Sequence, residues 1–171
     1  MKHPIRRPFA LLLCLAIGAF GPATLAAAEE PSPAAVAFVT GFSDDHLAGM
    51  LSRIGSRSPV LASFAQIDGR MTAQAFDANI AKAVHAHGAE WRHNMALSWT
   101  PLLNEEELTS LTNAGAQSPY TDKYLELRGD AGVKMQSLSN DFFQQILREV
   151  IDNTVADLTP DEAPEGSNDS N

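Results

Sequence analysis

The sequence predicts an all-α protein: an antiparallel helical bundle with one long central helix, several short helices and a disordered acidic C-terminal tail. Three observations carry this. Apolar residues recur at three- and four-residue steps along most of the chain. Ser-Pro and Asn-Glu pairs punctuate those stripes where helices start, and no alternating strand pattern or fixed-period repeat is found. The 171 residues suit one domain, and at 44% apolar they can build a real core along most of their length.

Residues 1–28 read as a secretory signal peptide. Lys2, Arg6 and Arg7 form the positive start, residues 9–20 carry no charge, and Gly21-Pro22 precedes the small residues Ala26-Ala27-Ala28. The apolar run is too short to cross a bilayer comfortably, so cleavage after Ala28 and a periplasmic product without a membrane span are expected. A lipoprotein reading on Cys14 fails, because Leu11-Leu12-Leu13 puts a bulky residue where a small one is needed. Loss of the three basic residues takes the net charge from −9 to −12 and leaves no cysteine. Such an acidic surface argues against nucleic acid as a partner.

Residues 29–156 form the expected helical domain. Ser32-Pro33 starts a helix with Val36, Val39 and Phe42 on one face. Ser43, Asp44 and Asp45 restart it, with Leu47, Met50, Leu51 and Ile54 as the stripe and Gly55 as the stop. Ser58-Pro59 opens a short segment with Leu61 and Phe64, closed by a turn at Asp68-Gly69. Thr72 then opens the longest helix, residues 72–99. Phe76, Ile80, Ala83, Val84, His87, Trp91, Met95 and Trp99 share its buried face, and Gly88 is a weak point within it.

After Thr100-Pro101, the run from Asn104 to Glu107 reads as a capping box, with Leu108, Leu111 and Ala114 behind it and Gly115 as the stop. Ser118-Pro119 starts another helix with Tyr120, Tyr124 and Leu127, and Gly129 and Gly132 bracket a break. A final helix carries Leu138, Phe142, Phe143, Ile146, Leu147, Val150 and Ile151, a stripe broad enough to pack between two neighbours. Residues 157–171 hold five acids and no base, and are expected to be a disordered, solubilising tail.

The segment LNEEELTSLTNAGAQSPYTDKY, residues 103–124, resembles the exported bacterial family called domain of unknown function 2059, through Glu107-Leu108 and Ser118-Pro119. Gly115-Ala116 stands where that family has Phe-Tyr, and Thr121-Asp122 replaces the glycine after the proline. The resemblance implies an exported helical domain and brings no assigned functional residues.

Chemistry is sparse. The chain lacks His-Glu-x-x-His, Gly-x-Ser-x-Gly and a glycine-rich phosphate loop, and cleavage removes the one thiol, so the reading leans away from an enzyme and implies no cofactor. The expected function is that of a protein-binding or self-associating module, with an envelope protein or a second copy as partner. The alternative is a transition-metal site formed by His87, Glu90 and His93, whose three-residue steps climb one side of the long helix. Against it, His87 sits on the apolar stripe, where a core or boundary role is expected. Trp91 and Trp99, two turns apart, are expected in the core.

Overall fold

The computed structural model describes residues 30–159, so the expected signal peptide and nearly all of the acidic tail lie outside the described residues. Five α-helices follow one another: α1 Pro33–Thr40, α2 Ser43–Gly55, α3 Pro59–Trp99, α4 Glu105–Ala114 and α5 Thr121–Leu158. A 3-10 turn, Gly115–Gln117, follows α4.

Local chemistry explains the helix starts. The Ser32 hydroxyl accepts from the Ala35 N–H at 3.2 Å, with Pro33 in the first turn. Asn104 and Glu107 form the reciprocal capping box at 3.0 and 2.9 Å. Gly115 ends α4 with φ +53°, a left-handed conformation that glycine adopts without steric cost. Asp68 leaves helical geometry (φ −145°, ψ 94°) and its carboxylate accepts from the Met71 N–H at 2.9 Å. The expected turn is therefore a kink, in which Asp68 caps the second stretch of α3 while the chain runs on.

Pairs across the helices set their directions. Asn79 meets Thr154 and Asp157, His87 meets Glu149, Trp91 meets Phe143 and Trp99 meets Tyr124, so α5 runs antiparallel to α3. Arg92 bonds Asp44, and Gly55 faces Phe76, so α2 is antiparallel to α3 as well. Consequently α2 and α5 run the same way along two sides of α3. Leu47, Leu51, Ile146 and Val150 on α2 and α5, and Leu108 on α4, are fully enclosed, and such side chains each contribute about 1.5–3 kcal/mol. α1 bridges α3 and α4, and Phe38 lies edge-on to Trp99, Tyr124 and Phe42.

Three expectations need correction. No break occurs at Gly129 and Gly132, because α5 is one 38-residue helix, about 57 Å long. Leu127, Ala131, Met135, Ser139 and Phe143 keep one register across both glycines, and packing of that register outweighs about 1 kcal/mol of lost propensity at each. Order also extends past residue 156: Leu158 is buried and Asp157 accepts from the Asn79 amide at 2.8 Å. Finally, Leu138, expected on the buried stripe, is exposed on the outer side of α5.

Candidate functional site

Parallel flanking of α3 by α2 and α5 leaves an open groove of about 610 Å³ between the three helices. Its floor is Trp91, Met95, Ser98 and Trp99 of α3. One wall is Phe42, just before α2, and His46, Met50 and Ile54 on it, at four-residue steps. The other follows α5 from Tyr124 through Arg128, Ala131, Gly132, Met135, Gln136, Ser139 and Asn140 to Phe143 and Gln144, on the order of 30 Å of helix.

Three features define this groove. Methionines stand on all three helices (Met50, Met95, Met135), giving an unbranched, polarizable lining that adapts to a guest's shape. Ala131, Gly132 and Ser139 keep the α5 wall low, and a β-carbon on Gly132 would meet no atom within 4 Å. Among the described residues no acidic side chain lines it, whereas His46 and Arg128 do. Arg128 is exposed and makes no ion pair or hydrogen bond among the described residues.

The floor is largely buried and aromatic. Trp91 is 3% exposed, held between the stacked His46 ring at 5.7 Å and Phe143 at 5.9 Å, and its indole N–H is buried without a hydrogen-bond partner. Trp99 stacks on Tyr124 at 5.0 Å. Partial burial, and then repulsion from Arg53, hold the His46 pKa below its ordinary 6.5, so the imidazole in the groove wall is mainly neutral at pH 7.

The suggested metal trio does not assemble. Among the described residues no group of three or more His, Cys, Asp or Glu stands close enough to hold a metal ion. His87 turns to α5, where its Nε2 lies 2.9 Å from Glu149 Oε2 and its ring meets Phe142 edge-on. Glu90 is exposed and His93 half-buried. The spacing explains the failure: six residues along a helix turn the side-chain direction by about 120°, so His87 and His93 diverge. His85 is exposed and His46 belongs to the groove.

Both tryptophans are buried as expected, and both also floor the groove. Arg128, Ala131, Met135 and Ser139 escaped the reading of the sequence. The signal for the last three was the four-residue recurrence from Leu127 to Phe143, hidden by the assumption of a break at the glycines; nothing in that series marked Arg128.

No family model, curated protein or solved structure matches the chain. The likeness of residues 103–124 to domain of unknown function 2059 thus rests on its motifs alone.

Proposed function

We propose that this chain is an exported, non-enzymatic binding module whose working surface is the groove between α2, α3 and α5. The guest is an elongated molecule that enters by its apolar side. The observation that carries this reading is the lining: three methionines, five aromatic residues and Ile54 facing an open channel of about 610 Å³. That volume lies within the range of small-molecule sites. The low α5 wall and adaptable methionines suit a slender guest, in place of the envelope protein or second copy expected from sequence. Export rests on the residue pattern of the first 28 positions, and its absence would leave the groove reading intact.

Titration with the neutral, environment-sensitive dye Nile red tests the reading. Wild-type protein should bind it saturably. Gly132→Leu, which projects a side chain into the channel without a clash at Cβ, should weaken binding about tenfold or more while the helical circular-dichroism spectrum is kept. Equal binding by both proteins would overturn it.

A further inference from the structure

We infer that the guest of the groove is a single-chain anionic amphiphile, its hydrocarbon chain along the α5 wall and its acid group at Arg128. This rests on the groove reading above and goes further by naming the ligand's class.

Shape argues for one chain. The channel is long, following α5 from Tyr124 to Gln144, and small residues on one side let a thin body lie against the α3 floor. Its apolar part would be removed from water, which contributes about 0.8 kcal/mol per buried methylene. Methionines suit such a chain because they repack around a flexible guest.

Charge argues for an acid head. In a protein with net charge −9, an acid-free channel is a local departure from the average surface. Arg128 stands two turns before Met135 on the same wall, near the end marked by the Trp99–Tyr124 stack. Its guanidinium offers a planar fork of donors that matches a carboxylate, and among the described residues nothing else occupies it. An uncharged amphiphile would bury the same chain without that contact. A cationic one would meet Arg128 as a like charge.

Displacement of Nile red from the full chain by decanoate, decanol and decyltrimethylammonium, each below its aggregation concentration, tests the inference. Decanoate should compete about tenfold better than decanol, and the cation should be weakest. Arg128→Gln should abolish that preference, bringing decanoate to the level of decanol, while Arg128→Lys should keep part of it. Three results would overturn the inference and leave the groove reading standing: equal competition by decanoate and decanol, an undiminished preference in Arg128→Gln, or dye binding that none of the three displaces. A protein that sediments as a dimer, with Nile red binding recovered only on dissociation, would assign the groove to a second copy and overturn it too. Failure of the dye to distinguish wild type from Gly132→Leu would remove both readings together.

Discussion

His46 lies nearly flat on Trp91, ring centroids 5.7 Å apart and planes inclined by 24°. The imidazole thereby couples the exposed wall of the groove to its buried floor. Burial disfavours its charged form, and Arg53 adds like-charge repulsion, so it protonates only below the usual 6.5. In the unfolded chain it takes up a proton first. Stability should therefore fall as pH drops through about 6.5, and this contribution should level off once the folded imidazole is protonated as well. Denaturant melts from pH 7.5 to 5 should show that loss, with a smaller slope in His46→Gln. An identical slope would remove His46 as its source.

Two glycines predict opposite responses to the same substitution. A β-carbon on Gly55 would sit 2.6 Å from Cζ of Phe76 and 2.9 Å from its Cε2, so Gly55→Ala must push the ring out of its seat between α2 and α3. Overpacking of this kind costs about 1–3 kcal/mol. At Gly129 a β-carbon meets no atom within 4 Å, on an exposed face of α5. Gly129→Ala should stabilise by about 0.5–1 kcal/mol through helix propensity alone. Thermal melts of the two variants check the signs.

Asn79 ties the far end of the bundle. It is buried, and its side-chain amide donates to the Ala75 carbonyl at 3.0 Å and to Asp157 at 2.8 Å, with Thr154 Oγ1 at 3.4 Å. Asn79→Ala leaves the Thr154 and Asp157 groups short of a donor and should cost about 1–3 kcal/mol. Amide hydrogen exchange should quicken over the last two turns of α5 in this variant. Unchanged protection there would show that α5 needs no such tie.

Glu107 is held well inside the carboxylate form. A hydrogen bond from Lys123 lowers its pKa most, and the Asn104 N–H adds to this against an opposing desolvation cost. A depressed carboxyl pKa stabilises above the unfolded value near 4.5, and that share is lost as pH falls through the folded value. Glu107→Gln keeps a reciprocal cap and loses the ion pair, for about 0.5–1 kcal/mol at pH 7. Glu107→Ala loses both, for about 1–2 kcal/mol. Guanidinium-free urea melts at pH 7 and pH 4 should separate the two contributions.

The helical class and most helix starts were legible in the sequence because they depend on near neighbours. Ser32-Pro33 and the Asn104–Glu107 box act within one turn, and the stripe from Phe76 to Trp99 repeats along its own helix. Gly55 was legible as a stop but not as a point of close approach, since Phe76 lies 21 positions further on. The groove was legible only in fragments. Phe42, Met50, Ile54, Trp91, Met95 and Trp99 were all marked as apolar stripes, but a channel exists only where α2 and α5 flank α3 without meeting over it. Spacing alone drew His87 towards Glu90 and His93, while the fold supplied it with Glu149 from 62 residues away.

Chemical-shift mapping tests the groove most directly. In methyl- and amide-resolved spectra of the full chain titrated with decanoate, the largest shifts should fall on Met50, Met95, Gly132 and Met135, with the Trp91 indole moving as well. Shifts confined to the exposed Ile67 and Met71 near the kink of α3, with Met95 and Met135 unmoved, would contradict the account.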